Sequence, residues 1–207
     1  MKTYTQRVRD NILPLSIGST LPGAFEEWSF TENYEDHGHP IEVCQLCEHE
    51  ELRYHFEIRN ALTGHTLWVG SQCILQFGLS VFEDGKRLDD SGARKKLNRL
   101  MQKMRLDSCI KALTKLAATE QNDILANALE YYKKNKFLTP KFANVVFWRL
   151  NENKIDYSPT FFKIHLSKAK YKEDLKNMPI GRVHRLWPAL APAQRKLAIS
   201  MGHKPPP

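Results

Sequence analysis

The sequence predicts an α+β protein in two parts: a small β-rich domain over residues 1–88 and a mainly α-helical, basic domain over residues 89–207. Three observations carry this reading. Between Cys44 and Phe77, two short β-rich runs flank a glycine-containing loop and are themselves bracketed by cysteines. From residue 89 onward, apolar residues recur at three- and four-residue spacing, the period of helices that bury one face. The charge divides at about the same place: residues 1–80 carry 5 Lys/Arg against 11 Asp/Glu, and the remainder carries 26 against 12, so −6 faces +14.

In chain order, residues 3–11 predict a short helix ending before Pro14, and Ile12 to Ile17 is a brief apolar segment leading into a Gly/Ser/Pro loop. Trp28 to Tyr34 predicts a strand. The acidic run Glu35, Asp36, with His37 and His39, leads to Cys44 and Cys47. From Arg53 to Arg59 apolar and polar residues alternate, with Tyr54, Phe56 and Ile58 on one face and His55, Glu57 and Arg59 on the other, as in a half-buried strand. Asn60 to Gly64 is a loop, and Thr66 to Val69 completes a hairpin. Gly70 and Ser71 break that strand, and Ser71 is expected to cap a helical turn carrying Cys73, Ile74 and Phe77.

A turn-rich link follows, and Asp90 or Ser91 is expected to cap a long helix. Its stripe of Leu97, Leu100, Met101, Met104, Ile110, Leu113 and Leu116 faces a core and takes in Cys109, a packed thiol. Arg94, Lys95, Arg99, Lys103 and Lys111 face elsewhere. Asn122 to Tyr132 predicts a second helix closed by Lys133, Lys134 and Lys136, which complement a helix C-terminus. Thr139-Pro140 reads as an N-cap and first helical position, opening a helix with Ala143, Val146, Phe147 and Leu150. Short connections of this kind suit a helical bundle; a helix–turn–helix is the other reading. Beyond Ser158-Pro159 the chain reads as irregular and basic, up to a last helix from Pro192 to Met201, with HKPPP as a tail.

Cys44 and Cys47 form a C-x2-C turn, which brings two thiolates onto one Zn²⁺, and Cys73 supplies a third from the first turn of a helix. Thiolates select zinc over magnesium or calcium. Knuckle, hairpin and helix-borne cysteine together predict a treble-clef-like zinc domain. Gln76 stands where a fourth cysteine usually falls, so a histidine is expected to close the shell: His49 first, two residues past Cys47, with His55 and His39 as alternatives. Three thiolates and one imidazole make a closed, structural Zn²⁺ site.

Four cysteines, three of them committed to metal, do not form a disulfide scaffold and suit a reducing, cytoplasmic setting. No apolar signal core opens MKTYTQRVRD, and no run spans a membrane. The common catalytic signatures are missing: a Walker loop, a G-x-S-x-G elbow, an H-E-x-x-H helix, and the Pro-Cys-x-x-Cys of zinc deaminases, since Val43 precedes Cys44. A non-enzyme is expected. The positive second part points to a nucleic-acid partner, with Arg94, Lys95, Arg99 and Lys103 on one helix and Lys168, Lys170, Arg182, Arg185 and Arg195 near the end as leading contacts.

Cys44, Cys47, the Tyr54–Ile58 strand, Asn60, Gly64 and Val69-Gly70-Ser71 with Cys73 resemble a zinc module widespread in plasmid, phage and bacterial nucleic-acid proteins. With the basic helical part behind it, Trp187-Pro188, Gln194-Arg195 and Gly202-His203, the whole layout looks like the diminutive large subunit of type IV CRISPR effector complexes. That resemblance implies a non-catalytic subunit that binds the guide RNA, contacts backbone protein subunits and inspects the short duplex motif beside the DNA target. The competing reading is a free-standing DNA-binding regulator or recombination accessory protein of a plasmid or phage.

Overall fold

The computed structural model describes residues 2–207, an α+β chain that divides by its contacts into two compact units, Met1–Met104 and Arg105–Pro207. The long helix α4, Asp90–Thr119, runs through that division, whereas the sequence places its boundary at the start of the helix, between residues 88 and 89.

In the first unit the central strand is Tyr54–Asn60 (β2), antiparallel to both Trp28–Asp36 (β1) and Thr66–Val69 (β3). Phe56 and Ile58 are fully buried, as their alternation predicts, and face Tyr34 and Phe30 on β1 and Val69 and Leu67 on β3. The register slips between Phe30 and Tyr34, where Glu32 takes a left-handed φ of 72°. This bulge aims Glu32 at the buried amine of Lys96, which also donates to the Phe82 carbonyl. The other face of β2 is solvated at Arg59 and half-buried at Glu57, but not at His55. His55 is buried, with Nδ1 against His37 Nε2 at 3.2 Å and Nε2 against the Val43 carbonyl at 3.2 Å.

The hairpin loop is organised by Asn60. Its side-chain oxygen accepts from the N–H groups of Leu62 and Thr63 at 2.8 and 3.0 Å, an Asx-type turn, while its amide donates to Leu15 O and to Glu27 at 3.2 and 2.6 Å. Gly64, at φ +77°, takes the left-handed step that leads into β3.

Helix α1, Tyr4–Ile12, starts in a capping box of Thr3 and Gln6, and buries Val8 and Ile12. The expected loop after it holds a short helix, α2, Leu21–Glu26, capped by Thr20. Helix α3, Ser71–Gln76, has Gly70 rather than Ser71 at its N-cap; Ser71 is already helical and its hydroxyl points to Met101 Sδ at 3.9 Å. The turn-rich link contains a two-residue ribbon, Phe82–Glu83 (β4) with Lys86–Arg87 (β5). Asp89, one residue before the expected cap, accepts from Gly92 N at 2.7 Å at the start of α4.

The second unit is a helical bundle. Helix α5, Asp123–Asn135, is capped by Asn122, and α6, Pro140–Glu152, by Thr139, whose hydroxyl accepts from Phe142 N at 3.3 Å. Cys109, Leu113, Leu125, Val146, Phe147, Leu150 and Phe162 share one buried cluster. The stretch expected to be irregular contains α7, Ala169–Lys176, and α8, Ile180–Leu186, before α9, Pro192–Ser200. Gly202 stops α9 at φ +96°, but the tail is anchored rather than loose: His203 is buried with Nε2 against the Leu175 carbonyl at 2.9 Å.

Candidate metal centre and basic surface

Residues Cys44 and Cys47 lie on a tight knuckle. Cys44 N–H donates to the His49 carbonyl at 2.9 Å, and Glu48 N–H returns to the Cys44 carbonyl at 2.8 Å, with Glu48 at a φ of 60°. A one-bridge ladder of Glu42 with Leu52 closes the base of the knuckle, and Gln45 fastens it to β3 through N–H to Trp68 O at 2.9 Å and Oε1 from Trp68 N at 2.7 Å. Helix α1 braces the other side: Arg7 Nε donates to Cys47 O at 2.9 Å and Asn11 Nδ2 to Leu46 O at 3.2 Å.

Cys73, in the first turn of α3, meets this knuckle. Its sulfur is 3.3 Å from Cys47 Sγ and 3.6 Å from Cys44 Sγ, and all three are reduced and buried. They are the group of ligand atoms that gathers within 4.8 Å among the described residues, and such a group could hold a metal ion. As thiols they share hydrogen bonds. The Cys44 thiol is held well below its ordinary range by the hydrogen bond from Cys73, Cys73 is pushed far up by giving it, and burial pushes Cys47 up. A divalent cation would reverse that hierarchy by stabilising every thiolate at once.

A cavity of about 520 Å³ opens beside the sulfurs, lined also by Tyr4, Arg7, His49, Glu51, Arg53 and Gln76. His49 stands exposed on it, and its imidazole is not among the gathered ligand atoms. Of the alternative histidines, His55 has both ring nitrogens engaged and His39 is exposed outside the cluster. The contributions of Arg7, Asn11 and Gln45 had no signal in the sequence, because each acts on a backbone carbonyl or amide far away along the chain. His49-Glu50-Glu51 and His55-Phe56-Glu57 are both H-x-E triplets, but both follow the cysteine pair in the chain and Val43, not proline, precedes Cys44, so the deaminase signature is not assembled.

The expected nucleic-acid contacts separate into two kinds. Arg94 and Lys95 on α4, Lys170 on α7 and Arg182 on α8 are exposed, with no ion pair or side-chain hydrogen bond among the described residues. Lys168 is exposed with its ammonium 5.7 Å from the Tyr171 ring, and Lys103 reaches Tyr34 OH at 3.4 Å. Arg99 pairs with Glu83. Arg185 and Arg195 are half-buried and engaged internally: Arg185 donates to Asn144 Oδ1 at 2.8 Å, and Arg195 to the carbonyls of Trp187 and Pro188 at 3.1 and 3.2 Å. Those two act first as braces of the bundle.

No helix among the described residues is long and apolar enough to cross a membrane. No protein-family model matches the chain, and no curated protein or solved structure matches it significantly.

Proposed function

We propose that this chain is a zinc-stapled, non-catalytic nucleic-acid-binding protein, acting as a subunit of a CRISPR ribonucleoprotein effector that contacts guide RNA and the short duplex motif beside the DNA target. The observation that carries the zinc assignment is the sulfur triangle. Four ligands about 2.3 Å from a tetrahedral Zn²⁺ lie about 3.8 Å apart, and the 3.3 and 3.6 Å separations fall just inside that edge. A knuckle, a hairpin and a helix-borne cysteine in this order are the parts of a treble-clef finger. The staple would tie the knuckle to α3 beside the three-stranded sheet.

Nucleic-acid binding rests on Arg94, Lys95, Lys170 and Arg182, exposed on α4, α7 and α8 with no ion pair among the described residues. The subunit assignment rests on the likeness of layout. Its test is purification from a host that carries the surrounding genes, followed by sequencing of bound nucleic acid. A stable complex with a discrete small RNA supports it; a chain that elutes alone and binds duplex DNA in a salt-dependent manner supports the free-standing regulator; a chain that binds neither sinks both.

A further inference from the structure

In the second unit, Leu138 and Ile164 form a parallel bridge, with Leu138 N–H donating to the Lys163 carbonyl at 2.8 Å and His165 N–H to the Leu138 carbonyl at 2.9 Å. Successive side chains on extended backbone point to opposite sides, so Leu138 and Ile164 enter the core while Phe137 and His165 stay half-buried on the outer side. Their rings meet edge to face, with centroids 4.3 Å apart. Tyr171 of α7 adjoins His165 at 5.8 Å, and Tyr131 of α5 adjoins Phe137 at 5.8 Å. The hydroxyls of Tyr131 and Tyr171 close the circle at 3.1 Å, and the His165 ring bonds the Ser167 hydroxyl, so four half-buried rings hold one another in place.

Lysines surround these rings. Residues 131–137 carry three lysines and residues 163–172 carry four, with no Asp or Glu in either segment. All seven are exposed, and none is in an ion pair among the described residues. Lys168 Nζ stands 5.7 Å from the centroid of the Tyr171 ring. Of the acids next to these segments, Asp174 is paired with Lys141 at 2.8 Å, which leaves Glu130 and Glu173 against seven cations.

Resting on the nucleic-acid reading above, we infer that this ring cluster is a stacking platform for single-stranded nucleic acid, with the lysines on its rim taking the phosphates. Every base offers a flat face that stacks on an aromatic side chain, and ammonium groups beside the rings neutralise the backbone of the same nucleotides. The buried rings of the same unit, Phe147 and Phe162, show the contrast, since they fill the core and reach no solvent. In a duplex the bases stack on one another, so the platform selects strands whose bases are free.

Fluorescence anisotropy of the full, metal-loaded chain tests this with three probes of about 12 nucleotides, a length within the usual range of such sites: oligouridine RNA, oligothymidine DNA and a DNA duplex. Tyr171→Leu keeps apolar bulk but removes the aromatic face, and should weaken single-strand binding about 5- to 100-fold with the salt slope and duplex binding unchanged. Tyr171→Phe should bind the single strands like the parent, although it loses the bond to Tyr131; the tighter-bound strand identifies the sugar in use. Lys168→Gln/Lys170→Gln should instead flatten the single-strand salt slope by about 0.7 log units per decade for each contact removed. Parent-like single-strand binding by Tyr171→Leu, or equal weakening of single strands and duplex, overturns the inference and leaves the nucleic-acid reading standing. If Tyr171→Leu does not fold, photocrosslinking of the parent to 4-thiouridine RNA decides: adducts on Phe137, His165 or Tyr171 support the platform, and adducts confined to other residues overturn it. A parent that binds none of the three probes takes both readings down together.

Discussion

Arg7 Nε lies 2.9 Å from the carbonyl oxygen of Cys47, forty residues away in sequence, so the first helix of the chain is a brace for the metal knuckle. The donor is charged and the acceptor sits on a buried residue. Such bonds contribute about 1.5–3 kcal/mol, reduced here toward the lower end by the partial exposure of Arg7. Arg7→Leu should therefore lower the melting temperature of the metal-loaded chain and weaken zinc in a chelator competition, and Arg7→Lys should restore part of both. A variant that holds zinc as tightly as the parent would remove α1 from the account of the site.

Asn60 presents a stronger case for stability. It is fully buried and makes four hydrogen bonds that join the hairpin loop to Leu15 and Glu27. Asn60→Ala leaves several of these partners unsatisfied, and the loss should be about 3 kcal/mol in a denaturant titration. Asn60→Asp should be at least as harmful, because it sets a second carboxylate against Glu27. A loss under about 1 kcal/mol in both variants would mean that water replaces the side chain at no penalty.

Cys109 gives the second unit a pH dependence. Burial pushes its thiol up to about 12, above the ordinary value of an unfolded cysteine. Between about pH 9 and 12 the folded chain therefore keeps a proton that the unfolded chain has released, and folding loses stability as pH rises through that window. The stability of the parent relative to Cys109→Ala, measured by urea denaturation with metal saturating, should fall across it. A difference that stays constant with pH would show that the folded thiol titrates like a free one.

The exposed and the braced cations should behave differently. The double reversal Arg94→Glu/Lys95→Glu should leave stability unchanged and flatten the salt dependence of RNA or DNA binding by about 0.7–0.9 log units per decade for each phosphate contact removed. Arg195→Ala, which removes bonds to two carbonyls at the turn before α9, should instead lower stability by about 1–2 kcal/mol. Fluorescence anisotropy across a salt series, paired with thermal melts, separates the two. An unchanged salt slope in the double reversal would return that face of α4 to plain solvated surface.

What was legible in the sequence followed local chemistry. Cysteine spacing placed Cys44, Cys47 and Cys73 together, the Thr139-Pro140 pair marked a helix start, and the three- and four-residue period of α4 put Leu97, Met104 and Leu113 in the core. What was missed depended on partners distant in the chain. Alternation put His55 in solvent, whereas His37 and the Val43 carbonyl bury it. Lys96 is buried although it is a lysine, because the bulge at Glu32, far away in the chain, gives its amine a partner inside. Helix α7 escaped notice because only Leu175 of its eight residues is buried, too few to show a period. The caps of α3 and α4 each shifted by one residue, as helix ends do when neighbouring polar residues compete. The turn past Cys47 is the reason His49 is expected as the fourth ligand; that turn brings its carbonyl to Cys44 N–H and leaves its ring exposed on the cavity beside the three sulfurs.

The central claim is that one zinc ion staples the first unit through Cys44, Cys47 and Cys73. It is tested most directly by elemental analysis of the chain purified under reducing conditions, beside Cys44→Ser. The account predicts about one zinc per chain in the parent, since structural zinc contributes roughly 10 kcal/mol or more to such modules, with loss of zinc and collapse of the β-sheet signal in the variant. A parent chain that is monodisperse, fully folded and free of zinc would contradict it.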